Sequence, residues 1–340
     1  MRHINIPIFI PHLGCPNQCI FCNQRYISGT YEFNEEQVDL IINEVMSTIN
    51  DDDECEIAFF GGSFTGIDRN LMIRLLDKAQ LYVDKGQAVG IRMSTRPDYI
   101  SREIISILKN YTISCVELGI QSMNDDVLAY LKRGHTSNDT RRAAELLFEA
   151  NIPFAGQMMI GLPGATPYDE IYCAKEICAI GAIGTRIYPT LVFKNTELEE
   201  LTKNNDYTPL SIDEAIQRSA SVYRVFLENN VMCYRIGLCE SENLHLDSSF
   251  YKGPSCASIG EMVRSRVFFD FICEKIEESS LQSTNDIVII CPVGKTSQVV
   301  GNKRANITEL KSRFGYKSIK VLELNDLNDF EIIVREKEES

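Results

Sequence analysis

Apolar residues in this chain recur with two periods that take turns along the sequence. The run Ile4–Ile10 reads as a strand. Asn34, with Gln37 three residues on, is a capping-box-like helix start, and Val38, Ile41, Ile42, Val45, Met46 and Ile49 follow at helical spacing. A short apolar strand, 57–60, comes next and ends in Gly61-Gly62-Ser63. The same alternation predicts helix 69–84 and strand 89–94, helix 101–110 and strand 115–120, helices 124–131 and 137–150 before strand 153–160, and helix 167–180 before strand 185–192. Six strands separated by helices predict an α/β fold with a parallel sheet and right-handed crossovers. A doubly wound sheet and a partial barrel both satisfy this pattern. An amphipathic helix is predicted over 211–230, an irregular stretch over 236–260 and a helix over 260–278, followed by the polar break ESSLQSTND. The expected division is a core of 1–235, a covering loop and helix of 236–284, and a small α/β domain of 285–340.

The predicted strand ends carry the unusual residues. They read GGSFTG, STRPDY, GIQSM, GLPGAT and YPTLVF in order. Carboxyl ends of parallel strands are where α/β folds place their ligands. The loop after the first strand, GCPNQCIFCNQ, belongs to the same rim.

Composition narrows the setting. The 340 residues are 44% hydrophobic and 24% charged, as in globular proteins. No apolar run is of membrane-spanning length, and the N-terminal run has no small-residue cleavage site, so neither a membrane partner nor a signal peptide is expected. Twelve cysteines without a secretion signal predict a reduced, cytoplasmic protein. A net charge of −14 gives no general affinity for nucleic acid. Residues 295–320 differ, with seven basic residues against Glu309. Two short helices joined by Gly301-Asn302-Lys303-Arg304 beside a small sheet resemble a KH module, whose turn clamps a nucleic-acid backbone. Arg304 stands where that turn ends in Gly, so an RNA contact and a plain solvated basic face are both open.

Cys15, Cys19 and Cys22 are spaced C-x3-C-x2-C. A single buried cysteine is ordinary core filler, but three within eight residues of a Gly/Pro/Asn loop are not. A closed zinc site asks for four ligands, usually in paired C-x2-C form, and the chain has no second such pair. Iron–sulfur clusters usually take four cysteines, so three would leave one iron open to an outside ligand.

The triplet, Phe21 before its third cysteine and the Gly-Gly turn together resemble the radical S-adenosylmethionine (SAM) superfamily. GGSF (61–64), TRPDY (95–99), VELGIQSMNDDV (116–127), RGHT (133–136), MMIGLP (158–163) and IYPTLVFKNTELEEL (187–201) resemble the radical SAM half of the Elongator catalytic subunit. Oxygen-independent coproporphyrinogen oxidases are similar over fewer of these segments. The Elongator subunit has a wider gap before its second cysteine, and nothing after residue 285 is long enough for its acetyltransferase domain. Acetyl transfer is therefore not carried over.

The resemblance implies a partial (β/α)6 TIM-like barrel with a small C-terminal KH-like appendage, and two cofactors, a [4Fe–4S] cluster on Cys15, Cys19 and Cys22 and SAM chelated at the open iron. It implies SAM contacts from Gly61, Gly62 and Ser63 to the ammonium, from Ser94, Arg96, Gln121 and Arg133 to the ribose and carboxylate, from Gln157 to the ribose, and from Ile160 to the adenine. Tyr188 and Lys194 are candidates for holding substrate. A one-electron donor such as flavodoxin or ferredoxin is an implied partner. RNA, a small metabolite, and a non-catalytic iron–sulfur or zinc protein remain competing readings of the function.

Overall fold

The computed structural model describes residues 2–10, 13–16, 18–23, 33–50, 52–238, 250–279, 281 and 286–337. They form two compact units, residues 1–211 with 225–255, and residues 212–224 with 256–340.

The larger unit is built on strands β1 (His3–Ile10), β2 (Glu54–Gly61), β3 (Gly90–Thr95), β4 (Ile113–Gln121), β5 (Phe154–Ile160), β6 (Gly184–Pro189) and β8 (Met232–Ile236), all parallel. Their order across the sheet is β1-β2-β3-β4-β5-β6-β8, with no reversal of direction. A doubly wound sheet reverses at a switch point; an order that never reverses curls the sheet one way, and the result is a half-barrel. The partial barrel expected from the sequence is thus the fold, with one strand more than the six read there. The missed strand, β8, lies within Val231–Ile236, and its Tyr234 and Arg235 break the apolar signal. A two-stranded ribbon of β7 (Val192–Phe193) and β9 (Phe250–Lys252) falls within stretches read as strand end and irregular loop.

Helices α1 (Val38–Met46), α2 (Arg69–Asp84), α3 (Arg102–Leu108), α4 (Asp125–Tyr130), α5 (Ser137–Glu149) and α6 (Pro167–Ala179) connect the strands. Their starts are fixed locally. Asp68, Ser101 and Asn124 accept from first-turn N–H groups, and Thr136–Asp139 and Thr166–Asp169 form reciprocal capping boxes. A further helix, α7 (Glu197–Lys203), begins at Thr196.

The barrel interior holds a charged layer that composition does not reveal. Glu117 on β4 is fully buried and accepts from Arg186 Nε (2.6 Å) and Nη2 (2.9 Å), Arg92 Nη1 (3.1 Å) and Gln157 Nε2 (2.7 Å). Arg92 Nε also donates to Glu56 at 2.6 Å, and His3 Nε2 lies 2.9 Å from the same carboxylate. Tyr234 of β8 lies under both guanidiniums, 4.9 Å from Arg92 and 5.9 Å from Arg186. Two carboxylates and two guanidiniums balance, and all seven strands of the sheet contribute. Burial alone would push the Glu117 carboxyl up, but Arg186, Gln157 and Arg92 outweigh it and hold it below its ordinary 4.5. Glu56 is lowered in the same way, chiefly by Arg92 working against burial.

In the smaller unit, β10 (Asp286–Pro292) lies between β11 (Ser318–Leu324), parallel to it, and β12 (Ile333–Glu336), antiparallel. Helices α10 (Thr296–Val300) and α11 (Ala305–Phe314) make the crossover from β10 to β11. Helix α9 (Ile259–Glu277) supplies Phe268, Phe269, Ile272 and Ile276 to the core formed with Ile287, Ile289 and Leu310. The sequence grouping joined this helix to the covering segment 236–284; its apolar side chains instead belong to the small sheet. Residues 212–224 of α8 (Ile212–Glu228) join it, with Arg224 on Glu274 at 2.6 Å.

Two outcomes follow from the charged layer. Glu117→Gln leaves the buried Arg186 guanidinium without a carboxylate and Arg92 with Glu56 alone, and should lower stability to urea at pH 7 by about 3–5 kcal/mol, whereas a loss under about 1 kcal/mol would show that the layer is not coupled as drawn. Because both carboxyls titrate lower folded than unfolded, their contribution is complete above pH 4.5 and should fade as the pH falls through the folded values below it, as urea midpoints at descending pH would record.

Candidate active site

The cysteine loop is fixed to the end of β2 by backbone contact. Ile10 pairs with Gly61 at the last register position of β1 and β2. The Gly62 N–H then donates to the Ile10 carbonyl (2.7 Å), and the Ser63 N–H donates to the Leu13 carbonyl (3.0 Å). A Cβ at Gly62 would overlap the Leu13 carbonyl oxygen, and one at Gly14, whose φ is 72°, would overlap the Ser63 carbonyl oxygen. Each glycine lets the other loop approach its backbone. Farther on, Ile20 is buried among Val127, Leu131, Leu162 and Leu198. Its N–H donates to the Leu131 carbonyl (3.2 Å), and its carbonyl accepts from the Leu198 N–H (2.9 Å). Cys22 N–H donates to the Cys19 carbonyl (3.0 Å), which turns the chain between these two thiols. Cys19 is buried, while Cys15 and Cys22 are half-buried.

Several side chains expected at the rim are there. Arg133, which follows α4, is buried; its Nη2 donates to the Gly119 carbonyl (2.7 Å) and its Nη1 to the Cys19 sulfur (3.4 Å). Arg96 is buried after β3, with Nε and Nη2 both on Asp98 at 2.9 Å. Gln121 ends β4 at φ 68°, in the left-handed region, next to a register shift against β5. Backbone of that kind costs a non-glycine residue about 1–3 kcal/mol and persists where surroundings enforce it. His135, two residues beyond Arg133, is buried with neither ring nitrogen hydrogen-bonded; the Ile120 carbonyl lies nearby but outside bonding geometry. Burial, with Arg133 and Arg96 adding to it, pushes its pKa down to about 3, so the ring is neutral.

Other expected contacts are otherwise engaged. The Ser63 hydroxyl is fully buried, 2.8 Å from Thr95 Oγ1, which in turn lies 2.7 Å from Thr65 Oγ1, and it accepts from the Arg96 N–H (3.2 Å). It braces the turn against β3 from inside. The Gln157 amide donates to Glu117 and so belongs to the charged layer. Ile160 is wholly buried, with its carbonyl taken by the Thr190 N–H (2.8 Å). Ser94 is half-buried on β3, paired in register with Glu117. Tyr188 is half-buried on β6, and the Lys194 carbonyl accepts from Asn23 (3.4 Å). Sequence reasoning did not find that buried Glu170 accepts from the Gly161 N–H (2.6 Å), or that Tyr207 donates to the Gly161 carbonyl (2.7 Å). Together they fix the turn after β5, and neither has a local sequence signal.

The rim is short of partners in a way that suits a polar ligand. Buried polar groups are nearly always hydrogen-bonded. Here Arg96 Nη1, Gln121 Oε1, Arg133 Nε and both His135 nitrogens are buried without partners. Among the described residues no three Cys, His, Asp or Glu groups converge as on a single ion; a cluster asks instead for thiolates on separate irons. Burial pushes the Cys15 thiol up, while Arg133 and Arg96 act against it. The donors fit three thiolates and a polar cofactor. Gly62→Ala should cost about 1–3 kcal/mol by overpacking and should release the cysteine loop from β2. Iron bound after reconstitution is then expected to drop severalfold while far-ultraviolet circular dichroism is unchanged; full iron loading would show that the close approach is dispensable.

The Radical SAM superfamily model matches residues 9–172, and the Radical_SAM C-terminal domain model matches residues 183–268. An uncharacterised protein of Methanocaldococcus jannaschii is 27% identical over 226 residues, 62% of this chain and 68% of that protein. The tRNA uridine(34) acetyltransferase of the same organism is 34% identical over 134 residues, 38% of this chain and 25% of that enzyme, so the chain spans only about a quarter of it. The solved structure of the archaeal Methanocaldococcus infernus Elp3 with an N-terminal deletion (1–46) shares the fold, with a TM-score of 0.62 at 21% identity over 80% of this chain and 63% of that one. The half-barrel, the cysteine triplet on its rim and these matches place the chain in the radical SAM superfamily, whose cofactors are a [4Fe–4S] cluster and SAM.

Proposed function

We propose that this chain reductively cleaves SAM at a [4Fe–4S] cluster held by Cys15, Cys19 and Cys22, and that its substrate class is RNA, tRNA in particular. One observation carries the first part: the cysteine loop is fastened to the β2 turn on a rim where buried Arg96 and His135 and half-buried Gln121 have buried polar atoms without partners. The chemistry these cofactors supply when bound is one-electron cleavage of the sulfonium to methionine and a 5′-deoxyadenosyl radical. In this reading Gln121 and His135 meet polar groups of SAM, and Arg96 offers Nη1 while Asp98 holds the rest of its guanidinium. The charged layer satisfies its own polar groups, so the interior beneath the rim needs no water to do so. A flavodoxin- or ferredoxin-type donor is the proposed electron source. No helix of the described residues is long and apolar enough to cross a membrane.

Two observations support RNA. Relatives are named tRNA uridine(34) acetyltransferases. In the basic segment, Lys295 is paired with Asp329 and Arg313 with Glu277, whereas Lys303 and Arg304 are exposed on the turn between α10 and α11. Their φ angles are 51° and 64°, so Arg304 occupies the left-handed position that glycine favours in such turns.

Anaerobic reconstitution with iron, sulfide, reductant and SAM should yield 5′-deoxyadenosine, and Cys22→Ala should lose at least about tenfold of it. An assembled cluster with no product above the variant overturns the enzyme reading. Filter binding of tRNA should weaken in a Lys303→Glu/Arg304→Glu variant, its salt slope falling by about 2. Wild-type binding that does not respond to salt overturns the RNA reading.

A further inference from the structure

We propose that Arg235 on β8 holds a phosphate of the substrate on the concave face of the half-barrel. The inference rests on the RNA reading above and names the residue that would anchor the RNA inside the barrel. The sheet register runs Gly119–Gln157–Arg186–Arg235 across β4, β5, β6 and β8. Side chains of register partners share a face, and Gln157 and Arg186 turn theirs inward to Glu117. A regular β8 would send only alternate residues to that face. Here Thr185 pairs with Cys233, and the next residue, Arg186, pairs with Arg235. Tyr234 is the extra residue of a bulge, a device that re-aims a side chain. Its ring lies over Gly184, where a Cβ would overlap it, and stacks beneath Arg92 and Arg186. Both Tyr234 and Arg235 therefore face inward, and Arg235 is left beside Arg186.

No carboxylate answers this third guanidinium. Glu117 is held by Arg186 and Glu56 by Arg92. Arg235 is half-buried and makes no hydrogen bond or ion pair among the described residues. It gives up part of its hydration with nothing in return, which an anionic ligand would offset. One step nearer the rim on the same face, Met159 and Tyr188 are paired in register and half-buried. Met232, which pairs with Gly184 just before the bulge, is 65% exposed, so this edge of the face opens to solvent. A cation near an aromatic ring and a thioether suits a nucleotide: the guanidinium fork matches phosphate oxygens, and bases stack on aromatic rings. Enzymes that act on a base take its nucleotide out of the stack. A phosphate at Arg235 leaves room for the attached nucleoside over Arg186 and Gln157, since Gly119 lies three strands, or about 14 Å, away.

The test is filter binding of tRNA over a series of salt concentrations, with wild type, Arg235→Gln, Met232→Glu and Leu40→Glu. Arg235→Gln is expected to bind about tenfold more weakly, its salt slope falling by about 1. Met232→Glu sets an acid on the same face without touching Arg235 and should weaken binding at least about threefold. Leu40→Glu makes the same charge change on the exposed side of α1 and should bind as wild type does. Wild-type affinity in Arg235→Gln, or a Met232→Glu variant that binds no more weakly than Leu40→Glu, overturns the proposal. If Arg235→Gln loses the wild-type circular dichroism, the comparison of Met232→Glu with Leu40→Glu decides alone. Wild-type binding that ignores salt refutes the RNA reading itself, so the two failures are distinct.

Discussion

The close approach of two backbones at Gly14 and Gly62 is the constraint on which the site depends. Side chains can adjust by rotamer, but a carbonyl oxygen where a Cβ would sit cannot be accommodated. The cysteine loop thereby becomes an extension of the sheet. Its position is set by β1 and β2 in register and by Ile20 in the apolar cluster near α4 and α7. Three thiols could be held by many loops, but this one brings Cys19 against Arg133, which follows α4, and Cys15 within reach of Arg133 and of Arg96 at the end of β3. The hydroxyl chain Ser63–Thr95–Thr65 serves the same end, tying the turn after β2 to the end of β3 within the protein.

The charged layer draws on all seven strands of the sheet. Salt bridges this deeply buried do not by themselves argue for stability, since desolvation offsets much of the attraction. What they impose is mutual dependence. Glu117 answers to Arg92 on β3, Gln157 on β5 and Arg186 on β6, so a slipped register at any of these strands strands a charge. An apolar filling would tolerate such slips better. The layer therefore acts on which sheet forms, and the curvature that aligns the strand ends at the rim follows from that sheet.

Sequence made the repeating units legible because their signals are local. Apolar residues at helical and strand spacing mark the connectors and strands, and the cysteine spacing marks the candidate metal site. What stayed hidden depends on residues distant in the chain. Gln157 reads as a half-buried amide seeking a ligand; only the β4–β5–β6 register shows that its partner is Glu117, forty residues away. The resemblance implies a Ser63 hydroxyl turned to the SAM ammonium, yet it is buried against Thr95. Strand β8 was missed since its Tyr234 and Arg235 look polar, although Tyr234 stacks beneath two buried arginines. The positive φ of Gln121 has no sequence signature at all.

The same pairing pattern decides where charge is left over. The interior layer is neutral by count, Arg96 is neutralised by Asp98, and His135 is neutral in its buried setting. Arg133 is then the nearest cation to the thiols not already answered by a carboxylate among the described residues. Three cysteine thiolates would bring three negative charges into a partly buried loop. A distant, solvated cation would be screened there, but one hydrogen-bonded at 3.4 Å and itself buried is not. An acidic chain of net charge −14 thus presents its cysteine triplet with one fixed positive group, placed by a backbone carbonyl and not by an ion pair.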